Sequence, residues 1–190
     1  MRSLKFLVKP FADYIIHTKG YPKVAYHIVI PLIFTFLLTY FNTSNIETLI
    51  TSGYTVLTFI SAFSFAALIS FSNFKSKHLS EKMWGNKLMS PEVTPVTYQT
   101  HKKGHKIKIE LSRKAFISLL LGYICFTSTV LLLALVIFNG INIPCHELKY
   151  IGKSIFFWSF FSLLINVIYA IQYFTKINLE EALESNSDDS

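Results

Sequence analysis

The chain has 190 residues, of which 52% are hydrophobic and only 15% charged, with a formal net charge of +7. That balance is too apolar for an ordinary globular domain, in which about 25% of residues are charged. No phosphate-binding loop, Ser-His-Asp order, paired carboxylates or dinucleotide fingerprint occurs, so the chain reads as a non-enzyme with no catalytic residues and no cofactor.

The first 23 residues carry five Lys/Arg, and Leu4, Leu7, Phe11 and Tyr14 or Ile15 fall at helical spacing. Two readings fit: a short amphipathic helix in the headgroup region, with Pro10 starting or kinking it, and a disordered basic leader. Four apolar runs then follow, at 24–41, 49–72, 115–138 and 155–174, and none contains Asp, Glu, Lys or Arg. A spanning helix needs about 20 apolar residues, and a charge at mid-bilayer costs about 3 kcal/mol or more. The expected fold class is therefore an all-α membrane protein with four transmembrane helices. The first run starts too far into the chain, and has no small-residue cleavage site after it, to read as a cleaved leader.

Within the first span, His27 reads either as a structural histidine near the boundary or as a sensing group, and Pro31 predicts a kink. The second span carries a small-residue stripe, Thr51, Thr55, Thr58, Ala62 and Ala66, at spacings of three and four. Such a stripe is a helix-packing face or, between subunits, a pore lining.

Residues 73–114 form the one long polar segment, with ten Lys/Arg against Glu81, Glu92 and Glu110. Its first part, with Lys75, Lys77, Lys82 and Lys87 among Leu79, Met83, Trp84 and Leu88, predicts an amphipathic extension of the second helix, ended by Gly85, Ser90, Pro91 and Pro95. The pattern then alternates: Val96, Tyr98 and Thr100 share one face, as do Ile107, Ile109 and Leu111, with turn residues at 101–104. That is the signature of a β-hairpin, here a small cytosolic one between helices 2 and 3. A lone hairpin is marginal in water and needs something to pack on.

On the third span Ser118, Gly122, Cys125 and Thr129 make a second small stripe, and on the fourth Ser159, Ser162, Asn166 and Tyr169 or Ala170 make a more polar one. The three stripes are expected to face one another. Asn166 sits well inside a span and requires a hydrogen-bond partner, since an unsatisfied amide in hydrocarbon is costly. Within the acidic tail at 175–190, the stretch from Glu180 to Ser190 holds five acids and no base and reads as disordered. Lys and Arg total sixteen in segments 1–23, 73–114 and 175–190, against two in the intervening loops. The positive-inside rule then puts both termini and the central segment in the cytoplasm.

His101 and His105 lack the further ligands of a metal site, so none is expected. Cys125 lies in a span and Cys145 in the second external loop, which leaves Cys145 as a free thiol. The basic segment attracts anionic membrane lipid; without an arginine fork or aromatic platform it is not expected to bind nucleic acid directly.

The small-residue second span running into SFSNFKSKHLSEKMWGNKLM, the hairpin VTYQTHKKGHKIKIEL and the re-entry LSRKAF together resemble the small four-helix membrane proteins of prokaryotic defence islands, the membrane subunit of the Kiwa antiphage system among them. The resemblance is one of architecture over most of the chain. It implies an oligomeric inner-membrane subunit that scaffolds a cytosolic, DNA-binding partner and senses envelope disturbance by phage. Two functions then compete. A scaffold would dock its partner through Met83, Trp84, Tyr98, Lys102, Lys103, Lys106 and Lys108, while a channel or depolarising effector would be lined by the second-span stripe of a homo-oligomer, dimer or tetramer.

Overall fold

The computed structural model describes residues 9, 11–19, 25–41, 46–75, 77–84, 95–102, 105–140 and 146–188. Most of them are helical. The helices are α1 (Ile30–Phe41), α2 (Ile46–Asn73), α3 (Lys77–Ser80), α4 (Arg113–Gly140) and α5 (His146–Asp188), with π-helical segments at Ala12–His17 and Ala25–Val29. Strands β1 (Thr18–Lys19), β2 (Thr97–Lys102) and β3 (His105–Glu110) form one antiparallel sheet in that order.

Among the described residues, three stretches are long and apolar enough to cross a membrane: Thr51–Asn73, Arg113–Phe138 and Tyr150–Glu180. At most 39% of any of their apolar windows is buried within the chain, so most of that apolar surface faces outward and calls for apolar surroundings. The expected first span is shorter, an apolar helix at His27–Leu38. Its regular winding begins only at Ile30, one residue before Pro31, which has no N–H to donate to the preceding turn. Thr35 Oγ1 donates to the Pro31 carbonyl at 2.7 Å.

The chain divides into two compact units, a sheet unit (Met1–Pro22, Ala67–Tyr123, Ile168–Ser190) and a helical unit (Lys23–Ala66, Ile124–Val167). In the helical unit α2 buries Gly53, Leu57, Ile60 and Ser64, one face of a 3.6-residue period. A Cβ on Gly53 would lie 3.1 Å from Leu135 Cδ1, so the missing side chain is what admits α4 there. Ser61 and Thr129 hydroxyls meet at 3.3 Å across the same pair of helices.

In the sheet unit the alternation gives the hairpin, with Tyr98 opposite Ile109 and Thr100 opposite Ile107, but His101 and Lys102, expected in the turn, continue β2 opposite Lys106 and His105. The strip before it differs from expectation. Helix α2 ends at Asn73, α3 adds one isolated turn, and Lys82 and Trp84 are extended, bridged to Ser112 and Pro95. Three backbone hydrogen bonds close a ring: Met83 N to Leu111 O at 2.8 Å, Leu111 N to Val96 O at 2.9 Å and Val96 N to Met83 O at 2.7 Å. All three residues are buried, so pairing at the hairpin base and burial of Met83 outweigh the helical preference of the strip. Lys87 and Leu88 of the expected extension lie outside the described residues.

The ends of the chain also differ from expectation. Among its described residues, the N-terminal segment is helical at Ala12–His17 and turns Tyr14 inward. Tyr14 is fully buried, with its ring 4.7 Å from that of Tyr123 and 6.2 Å from that of Phe116. Thr18 and Lys19 pair with Tyr98 and Thr97, which covers the start of one edge of the hairpin. The acidic tail continues α5 to Asp188 because Leu, Glu and Ala follow the span without a Gly or Pro to stop it.

Candidate docking surface and its supports

The sheet unit gathers the polar chemistry. Arg113, at the start of α4, is mostly buried, and its guanidinium bridges two carboxylates, Glu81 at 3.1 Å and Glu180 of α5. Glu81 also meets His78 Nδ1 at 3.2 Å, its backbone carbonyl accepts from Arg113 N at 2.8 Å, and Glu180 lies 3.8 Å from Lys176. A guanidinium fork can satisfy both acids at once, which ties α5 and the extended strip to the first turn of α4. Lys82 and Glu110 make a further pair at 2.7 Å.

The N-terminal segment is held from the other side of the sheet order. Tyr98 donates its hydroxyl to Asp13 Oδ1 at 2.9 Å, and Thr18 Oγ1 donates to the Asp13 carbonyl, also at 2.9 Å. Burial, then the hydrogen bond to Asp13 and its charge, push the Tyr98 hydroxyl up to about 12, so it remains a donor across the whole physiological range.

The residues expected to dock a partner separate on this frame. Trp84 is 51% exposed although its neighbour Met83 is buried, and Lys108 is exposed on β3. Met83 belongs to the core, which corrects its expected place on the contact surface. Tyr98 is half-buried and engaged with Asp13. Lys102 and Lys106 lie on β2 and β3, opposite His105 and His101, while Lys103 lies outside the described residues, as does Cys145. Asp13, Glu81, Arg113 and Glu180, which organise the unit, were not singled out by the sequence. Of the four, Arg113 alone stands beside an apolar run, two residues before 115.

In the helical unit the expected stripe of the second span does not pack inward. Thr51, Thr55, Thr58, Ala62 and Ala66 are all exposed, on the side of α2 away from Leu57 and Ile60. This stripe is therefore not the contact face within the chain. Asn166 is fully buried and finds its partners in Ser162 O at 2.6 Å and His27 Nδ1 at 3.4 Å. His27 Nδ1 also lies 2.8 Å from Ser162 Oγ. With the amide nitrogen facing it, Nδ1 is an acceptor and the ring proton sits on Nε2. The trio joins His27 to the buried amide of Asn166 and the hydroxyl of Ser162.

No protein family matches the chain, and no curated protein or solved structure matches it either.

Proposed function

We propose that this chain is an oligomeric scaffold or sensor of the cell inner membrane that docks a cytosolic partner through its sheet unit. It has four spans, the shorter α1 included, and both termini in the cytoplasm. The observation that carries the reading is Trp84: a half-exposed indole on a strip whose backbone is pinned on both sides to Pro95 and Ser112. An aromatic side chain held in place loses little freedom on binding and is a frequent hot spot. Lys108 adds positive charge to the same unit. Antiphage defence, with a DNA-binding partner, is the setting implied by the architectural resemblance.

The test is a mild-detergent pull-down of the tagged chain and of Trp84→Ala combined with Lys108→Glu, with folding checked by circular dichroism. A stoichiometric cytosolic partner recovered only with the unmodified chain supports docking. Equal recovery with the variant removes this surface from the function.

The exposed stripe on α2 favours a second reading, a channel between copies of the chain. Bulky replacements at Thr55 and Thr58 would then block ion flux in planar bilayers without affecting partner recovery. A sealed membrane with the unmodified chain sinks that reading.

A further inference from the structure

Where α2 ends and α4 begins, an open cleft of about 550 Å³ lies between the two backbones, within the size range of ligand sites. Three lysines (Lys75, Lys77 and Lys114), the hydroxyls of Ser80 and Ser112 and the ring of Phe74 line it, with no carboxylate among the lining residues. The described acids nearby are spent elsewhere: Glu81 on Arg113 and His78, Glu110 on Lys82, Glu180 on Arg113 and Lys176. Among the described residues Lys75 and Lys77 therefore have no carboxylate partner, and both are exposed.

The remaining donors are arranged around them. Lys114 Nζ donates to the carbonyls of Ser72 and Phe74, each at 3.0 Å, which fixes the ammonium at the end of α2 and leaves one of its three hydrogens. Ser112 Oγ accepts from Ala115 N at 3.3 Å and keeps its own hydrogen to give, whereas Ser80 spends its hydrogen on the Lys77 carbonyl. The cleft is thus a cluster of positive charge and hydrogen-bond donors that calls for an anion with several acceptor oxygens.

Position selects the source of that anion. The spans Thr51–Asn73 and Arg113–Phe138 both end at this cleft, the depth at which bilayer phosphates lie. Phe74, 42% exposed, offers an apolar wall beside the lysines. We propose that the cleft is a headgroup site for an anionic phospholipid, its phosphate held by Lys75 and Lys77 with donors from Lys114 and Ser112. The site rests on α2 and α4 crossing the membrane and is independent of partner docking.

The test uses the full chain in nanodiscs of phosphatidylcholine alone or doped with phosphatidylglycerol, with bound lipid counted by native mass spectrometry. The unmodified chain is expected to retain phosphatidylglycerol over phosphatidylcholine. The double variant Lys75→Gln/Lys77→Gln is expected to lose roughly tenfold of that retention, because each lysine near an anionic surface contributes separately. Lys82→Gln/Lys176→Gln, which removes the same charge outside the cleft, is expected to keep it. Equal loss in the control, or no headgroup preference in the unmodified chain, overturns the site. Displacement of the lipid by millimolar inorganic phosphate overturns the lipid assignment in favour of a soluble anion.

Discussion

The two units solve opposite problems with the same twenty side chains. The helical unit is apolar outside and keeps polar groups inside: Phe34, Phe59, Phe63, Leu133 and Ile137 are exposed, while Ser64, Ser128, Ser162 and Asn166 are buried beside Leu57, Ile60 and Leu163. The sheet unit buries Tyr14, Leu79, Met83, Val96 and Phe116 and exposes Lys75, Lys77, Lys82, Glu81, Lys108 and Glu110. The difference teaches what surrounds each. Apolar side chains leave the inside only where the outside does not penalise them, and polar ones gather inside where their alternative is hydrocarbon.

Four changes break or sharpen that contrast, in falling order of expected effect. Tyr14→Ala should destabilise the sheet unit most, by about 3–4 kcal/mol, because the cavity opens against Tyr123 and Phe116 at a fully buried position. Denaturant titration in detergent measures it, and a loss below about 1 kcal/mol would mean that the N-terminal segment is not part of the unit. Arg113→Ala leaves Glu81 and Glu180 facing each other and should cost about 2–3 kcal/mol. Limited proteolysis at the end of α5 should accelerate in parallel.

The corresponding polar lesion in the helical unit should be milder. Asn166→Leu should cost only about 1 kcal/mol, since hydrogen bonds inside membranes average about 0.6 kcal/mol. A loss matching that of Arg113→Ala would show the trio with His27 and Ser162 to be far more than interhelical glue. The smallest effect belongs to Tyr98→Phe and is read in pH. The Tyr98 hydroxyl is raised from 10.0 to about 12 in the folded chain, so its contribution is fully present below pH 10 and is lost as pH rises from 10 to about 12. The variant should lack that alkaline slope, measured as unfolding midpoint against pH.

The helical runs and the hairpin were legible because both are written in local periodicity, 3.6 residues for helices and two for the pair Tyr98 and Ile109. Of the residues expected at a contact surface, Trp84 and Lys108 are exposed. Met83 sits in the same amphipathic strip and reads the same way, and burial under Val96 and Leu111 took it out of reach. The face that α2 buries was misread for a related reason. A stripe of small residues marks a surface that can pack closely, but Gly53, Leu57, Ile60 and Ser64 form an equally regular face on the other side.

By itself the sequence determined which segments are apolar enough to span, where the single basic segment lies and that it holds a hairpin, since each follows from residues within a turn or two of one another. Only the tertiary structure decided that α2 stops at Asn73, that β1 covers the start of one hairpin edge, that Glu180 anchors the tail on Arg113 and that Asn166 meets His27, 139 residues away. Each of those joins groups with several chemically equivalent partners along the chain. The choice among such partners is made by where packed backbones bring them, a quantity that local pattern does not carry.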